Sequence, residues 1–213
     1  NPTCPAQLAE RLRFFAGRRQ MDISELGEKV IEKLVARGYV QSIPDLYRLR
    51  YDQIFEALKQ QGTKKESNPA KSSQALLEAI AASKSRGLAR LLAGLGILDI
   101  GNRTAQLLAQ HFGSLEALRQ ASIRTLIQAP DMGGGVLEEV DKLRERHAPL
   151  QTWSDEQIFG LTTPEHKPAA EETQFTDKLA GIRSKAVAAR SLFQYLHSQE
   201  GRKTLDDLVA LGL

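Results

Sequence analysis

Leucines recur at helical spacing on both sides of one short, glycine-bounded turn, and this constrains the fold more than any other stretch. Leu88, Leu91, Leu92 and Leu95 precede Gly96-Ile97-Leu98-Asp99-Ile100-Gly101, and Ala105, Leu107, Leu108 and Phe112 follow it. Apolar residues at such intervals line one face of a helix, so the stretch reads as helix, tight turn, helix. Gly96 and Gly101 lack a Cβ, which permits positive φ and lets a ligand approach the backbone. The turn opens into a helix start at Asn102-Arg103-Thr104. Free N–H groups and the positive dipole end make such a start suited to an anion, a phosphate among them. One glycine-bounded turn is more commonly just a tight connection, so the rest of the chain has to decide.

Composition sets the outer limits. The 213 residues suffice for one large or two small domains. Hydrophobic content of 41% and charged content of 26% are those of a globular chain. A formal net charge of +3 permits a nucleic-acid partner without requiring one. The single cysteine, Cys4, excludes an internal disulfide and favours a cytoplasmic setting. With no long apolar run and no signal-peptide pattern, neither a membrane span nor secretion is expected. A chain that begins with Asn1 reads as a fragment.

Taken in order, the chain repeats its central theme. A first helix carries Leu8, Leu12 and Phe15, opened by Pro5. Its arginines Arg11, Arg13, Arg18 and Arg19 read as a solvated face, with phosphate contact the sharper alternative. Met21 to Lys29 then leads into Val30, Ile31, Leu34 and Val35, with Asp22 or Ser24 as candidate cap and Gly38 as candidate stop. Gly27 stands at the helix start as Gly101 does. Residues 44–60 read as one helix, 60–69 as a breaker-rich loop and 71–84 as helix again. Lys64, Lys65 and Lys71 are candidates to lie near DNA. Ser114 and Ser122 each cap a short helix. Pro130-Asp131-Met132-Gly133-Gly134-Gly135-Val136 is another turn into a helix, loosened by its three glycines. Residues 147–176 read as a long connection with one helical turn near Asp155 to Phe159, in which Trp153 anchors the loop rather than stacking a base. One helix is expected from Phe175 to Leu196 and a last one through Leu205, Leu208 and Leu211. Turn-helix units therefore recur at 22–35, 96–110 and 131–144, with a decayed one near 62–80.

These units have the shape of the helix-hairpin-helix, a sequence-independent binder of the DNA backbone. The ordered set of motifs resembles the C-terminal half of bacterial NAD-dependent DNA ligases. Cys4-Pro5-Ala6-Gln7 looks like the end of that family's four-cysteine zinc module. Met21-Asp22-Ile23 through Lys29, Asp45 to Leu49, Ala81 to Lys84, Leu95 to Ala105 and His111 to Leu115 match in order, and Ala189 to Leu213 resembles the helices that precede a BRCT domain. The resemblance implies an all-α fold of tandem helix-hairpin-helix units, a RuvA domain 2-like or SAM-like helical bundle with no significant sheet. It implies the segments 1–20 (end of the zinc module and connecting helix), 21–146 (hairpin units), 147–176 (insertion or loop) and 177–213 (closing helices).

Functionally it implies a region that clamps nicked double-stranded DNA for other domains of the same enzyme, which seals nicks in replication and repair. NAD, magnesium and zinc would belong to the intact enzyme, working in the bacterial cytoplasm at the nucleoid. The DNA-binding positions carried over are Gly27, Gly96, Gly101, Gly133 and Gly134 as hairpin glycines, with Lys29, Lys71, Ser72, Arg103 and Thr104 beside the phosphates. Cys4 would be a zinc ligand only with three upstream cysteines. Glu25 departs from the family by standing where it has the first hairpin glycine, and a carboxylate there repels phosphate.

No Lys-x-Asp-Gly motif is present, so the chain lacks the nucleophile for adenylation and is expected to be inactive alone. It has no Walker loop and no dinucleotide fingerprint. His111, His147, His166 and His197 lack metal-ligand spacing. Two other readings remain open at this point. One is a stand-alone DNA-binding module of a repair protein; the other is a structural connector whose hairpins have decayed.

Overall fold

The computed structural model describes residues 4–59, 68–163 and 173–213. Every regular element among them is helical, as expected of a chain with 3.6-residue periodicity and no alternating apolar pattern. In chain order the helices are α1 (Pro5–Phe15), α2 (Glu28–Ala36), α3 (Tyr51–Leu58), α4 (Pro69–Ser83), α5 (Leu88–Gly94), α6 (Asn102–Phe112), α7 (Leu115–Arg119) and α8 (Ile123–Gln128). There follow α9 (Val136–Arg146), α10 (Ala148–Gln151), α11 (Asp155–Ile158), α12 (Thr173–Lys185), α13 (Val187–His197) and α14 (Gln199–Ala210). Short 3-10 segments span Ile43–Arg48 and Lys84–Arg86.

The chain forms two compact units, residues 1–96 with 199–213, and residues 97–198. This division cuts across the sequence segments. It separates 21–96 from 97–146, and α13 from α14.

In the first unit α1 buries Leu8, Leu12 and Phe15 and packs on α2, which buries Ile31 and Leu34. Pro5 occupies the first turn of α1, where its missing N–H costs nothing. Gly38 ends α2 as expected: at φ +71 it allows the Tyr39 N–H to reach the Leu34 carbonyl at 3.0 Å and its own N–H to reach that of Val35 at 2.9 Å. These two bonds satisfy carbonyls the helix would otherwise leave open. The expected 44–60 helix is instead a 3-10 segment and α3, because Leu49 turns extended and is buried. The Arg50 N–H then donates to Gln53 Oε1 at 3.0 Å and starts α3 afresh. Neither Asp22 nor Ser24 caps α2; Gly27 is its N-cap, and Asp22 is left-handed and paired with Arg86 at 2.9 Å. At the end of the chain α14 returns to this unit. It packs on the Ile43–Arg48 segment, Asp207 pairs with Arg48, and Lys84 Nζ donates to the Leu211 carbonyl at 2.6 Å.

The second unit runs from α6 to α13. Ser114 and Ser122 cap α7 and α8 by accepting the Ala117 and Thr125 N–H groups, each at 3.1 Å, as the sequence predicts. Residues 147–163 are more regular than a long connection, since α10 and α11 both form there. Ser154 and Gln157 close a reciprocal capping box at 3.3 and 2.8 Å. Trp153 packs edge-on against Phe175, ring centroids 6.4 Å apart, in the anchoring role expected of it. The single helix expected over 175–196 breaks at Ala186 into α12 and α13. The cause is tertiary: the Gly133 backbone lies against that junction, so close that a Cβ on Gly133 would be 2.6 Å from the Lys185 carbonyl oxygen.

Candidate nucleic-acid interface

Three turns are built to one plan. Ile23 and Leu26 in the first, Ile97 and Ile100 in the second, and Ala129 and Met132 in the third are buried and pin each turn from inside. Ile31 and Leu34, Ala105 and Leu108, and Leu137 and Val140 follow at the same spacing and are buried as well. Between the pinned residues sits an exposed acid in left-handed conformation: Glu25 at φ 67, Asp99 at φ 63 and Asp131 at φ 60. The first two turns also share a left-handed residue three positions earlier, Asp22 at φ 50 and Gly96 at φ 64. The departure seen at Glu25 is therefore not peculiar to the first unit; all three turns place a carboxylate there.

The helices leaving these turns start without a side-chain cap. α2, α6 and α9 have glycine N-caps, Gly27, Gly101 and Gly135, and none receives a side-chain cap. By contrast α4, α7, α8 and α11 are capped by the side chains of Asn68, Ser114, Ser122 and Ser154. The three glycines are not explained from within. Their φ values are −76, −86 and −63, open to any residue. A Cβ on any of them would meet no atom within 4 Å. All three are exposed. Serine would stabilise the starts of α2 and α6 more, where Gly27 and Gly101 are extended, whereas Gly135 is already helical. At Gly27 and Gly101 glycine keeps side chains away from the helix start and leaves the space above it empty, the shape an oxyanion needs. At α9 the start is closed, since the Val136 and Leu137 N–H groups donate to the Gly133 and Gly134 carbonyls at 3.0 and 3.4 Å.

Lys29 and Arg103 occupy the same place in the first turn of α2 and α6, both exposed, with Thr104 half-buried beside Arg103. Arg103 Nε donates to Asp131 Oδ2 at 3.0 Å, with its side chain 84% exposed. An ion pair so exposed contributes about 0–1 kcal/mol, too little to hold the guanidinium against a phosphate. Of the other turn acids, Asp99 accepts from Ser191 Oγ at 3.4 Å.

The remaining sequence candidates fall elsewhere. Gly96 is exposed and needed for its own φ. Gly133, at φ +99 against the Lys185 carbonyl, has an internal reason to be glycine. Gly134 is exposed, and a Cβ on it would make ordinary contact with the Ile127 carbonyl oxygen at 3.5 Å. Lys71 is exposed and Ser72 half-buried at the start of α4, but Asn68 Oδ1 already accepts the Ala70 and Lys71 amides, at 3.1 and 3.3 Å. That start is not open to an anion as α2 and α6 are. Lys64 and Lys65 lie outside the described residues, as does His166.

Cys4 is the N-cap of α1, and amide hydrogen bonds from Gln7 and Ala6 hold its thiol below the ordinary value. A thiol so placed is a fit donor for zinc. Among the described residues, however, no three His, Cys, Asp or Glu side chains gather to complete a site.

Reading the sequence missed the shared position of Glu25, Asp99 and Asp131. Aligning Asp22-Ile23-Ser24-Glu25-Leu26-Gly27 with Gly96-Ile97-Leu98-Asp99-Ile100-Gly101 would have found the first two acids.

Comparison with known proteins gives the class first. Residues 90–146, from within α5 to the end of α9, match the family model described as a helix-hairpin-helix motif. Homologues of the chain then carry a particular name. It is 44% identical over 140 residues to a DNA ligase of Thermomicrobium roseum, 66% of this chain and 19% of that protein. Over 216 residues it is 32% identical to a DNA ligase of Rhodopirellula baltica, 98% of this chain and 30% of the relative. A DNA ligase of Pseudomonas paraeruginosa is 44% identical over 138 residues, 65% of this chain and 16% of that protein. The chain thus spans 16–30% of the length of these curated relatives.

Proposed function

We propose that this chain is the duplex-clamping region of a nick-sealing, NAD-dependent DNA ligase. It holds nicked DNA through backbone phosphates, without sequence preference, while other domains of the same protein carry out adenylation and joining. The observation that carries this reading is the pair of exposed, extended glycine N-caps without a side-chain cap at Gly27 and Gly101, which no internal contact or backbone strain requires. Lys29 and Arg103 add charge beside them. The contribution to catalysis is positional, keeping the 3′-hydroxyl and 5′-phosphate aligned for chemistry elsewhere. NAD would supply the adenylate, magnesium would serve the reaction, and Cys4 would be one of four thiolates on a structural zinc; all of this belongs to the larger protein.

The test is binding of this chain to a nicked duplex, titrated against salt. The expected result is a linear fall of log K with log salt, each phosphate contact adding about 0.9 to the slope, equal for unrelated sequences. Replacing Gly27 and Gly101 with serine should weaken binding without unfolding the chain. Absence of salt-dependent binding would instead leave a connector with decayed hairpins.

A further inference from the structure

We propose that the groove between α9 and α12 is an additional phosphate track, which takes the DNA backbone onward from the third turn. This rests on the duplex-clamping reading above. The groove has a volume of about 360 Å³ and a floor of Leu143, Ile182 and Gly181. Its walls carry four cations, Lys142 and Arg146 from α9 and Lys178 and Lys185 from α12, against one carboxylate, Glu139. Most carboxylates on α9 lie off the groove. The helix also holds Glu138, Asp141 and Glu145, yet none of these lines the groove. Asp141 faces Arg124 at 2.9 Å instead.

The cations differ in engagement. Lys185 Nζ pairs with Glu139 and Lys142 Nζ with Glu138, each at 2.7 Å on exposed surface. Such pairs are weak and exchangeable. Arg146 and Lys178 are exposed and line the groove from α9 and α12.

Gly181 is the second observation. It sits in the middle of α12, where glycine costs about 1 kcal/mol against alanine. Its φ is not in the left-handed region, and a Cβ on it would meet nothing within 4 Å. Neither conformation nor packing asks for it. A bare stretch of helix on the floor of a cationic groove gives room for a chain that lies close.

Position supplies the third. The groove starts beside the third turn, where Gly133 abuts the Lys185 carbonyl. From Glu139 to Arg146 it runs about 10 Å at 1.5 Å per residue, roughly the axial rise of three phosphates on one strand.

The experiment measures nicked-duplex affinity of the full chain across a salt series, for the parent and for two variants. Arg146→Ala/Lys178→Ala removes two charges from the groove, and Lys59→Ala/Lys203→Ala removes two exposed charges elsewhere as the control. At about 0.1 M salt each lost contact weakens binding about eightfold, so the groove variant should bind roughly sixtyfold more weakly with a salt slope lower by about 2. The control should lose far less. Gly181→Leu should raise the melting temperature, since it improves the helix, while it lowers DNA affinity. If the parent binds and the groove variant keeps its affinity and slope, the track is refuted and the hairpin clamp stands. If the parent binds no duplex at any salt, both readings fall. If the groove variant loses affinity for polyglutamate but not for DNA, the groove belongs to an acidic peptide and the track is refuted.

Discussion

Gly101 and Gly96 bound the same turn and are glycine for different reasons, which determines how each responds to substitution. Gly96 sits at φ +64, so valine there is strained and should destabilise the first unit by about 1–2 kcal/mol, read by thermal or denaturant melting. Any loss of DNA binding would then be ambiguous. Gly101 has ordinary φ and open space around it. Serine at Gly101 should cap α6 with its own hydroxyl, raising stability by a few tenths of a kcal/mol. The same hydroxyl takes the amides a phosphate would use, so DNA affinity should fall as stability rises. Equal or tighter binding by Gly101→Ser would show those amides are not the contact.

Glu25→Gly makes the converse test. It relieves a left-handed residue and removes a carboxylate from the turn, so both stability, by up to about 1 kcal/mol, and DNA affinity should increase. A calorimetric melt and a binding isotherm on one sample check both. The glycines at 27 and 101 could be read from the sequence because a glycine before a helical repeat is a local signal. The acids at 25, 99 and 131 could not, because side chains in left-handed turns are held by what surrounds them, here the buried pairs on either side.

At the scale of elements, the second unit is tied together by an ionic cluster. Arg124 Nε donates to Asp155 at 2.8 Å, and Arg124 also reaches Asp141 at 2.9 Å. Arg144 reaches Asp155 from the other side at 3.0 Å. Three short helical elements, α8, α9 and α11, are joined in this way, with Asp155 only 20% exposed. Burial pushes the Asp155 carboxyl up, but the hydrogen bonds and charges of Arg124 and Arg144 outweigh it and leave the group below its usual value. A depressed folded-state value means the stabilisation is full above the unfolded value of about 3.9 and is lost as pH falls through the folded one. Acid unfolding of residues 97–198 should accordingly shift to higher pH in Asp155→Asn, and Asp155→Ala should cost about 2 kcal/mol at neutral pH, as the arginines lose a part-buried partner. A pH series followed by circular dichroism separates the two.

Caps and stops were legible at this scale: Pro5, Gly38, Ser114 and Ser122 act where their neighbours in sequence place them. The breaks at Leu49 and Ala186 were not, since burial of Leu49 and the approach of Gly133 come from distant parts of the chain.

At the scale of the molecule, the chain leaves its first unit at Gly96 and comes back only with α14. Helical periodicity foretold α14 but not its destination, because amphipathic spacing says that a face is buried and not against what. The return matters energetically. Leu205 and Leu208 of α14 are fully buried, and burying a leucine contributes about 1.5–3 kcal/mol. Removing residues 199–213 therefore takes about 3–6 kcal/mol from the first unit, a large share of the 5–15 kcal/mol typical of a whole domain. The polar ties of Asp207 to Arg48 and of Leu211 to Lys84 go with it. A chain ending at Ser198 should lose amide protection across α1–α5 while α6–α13 keep theirs, which hydrogen exchange read by mass spectrometry would resolve element by element. Its DNA binding should lose the Gly27 contact and keep that at Gly101, so the salt slope should shrink without vanishing. If both sets of helices lose protection together, the two units fold as one and the clamp depends on α14 throughout. If neither does, the returning helix is an accessory and the first unit's core is complete without it.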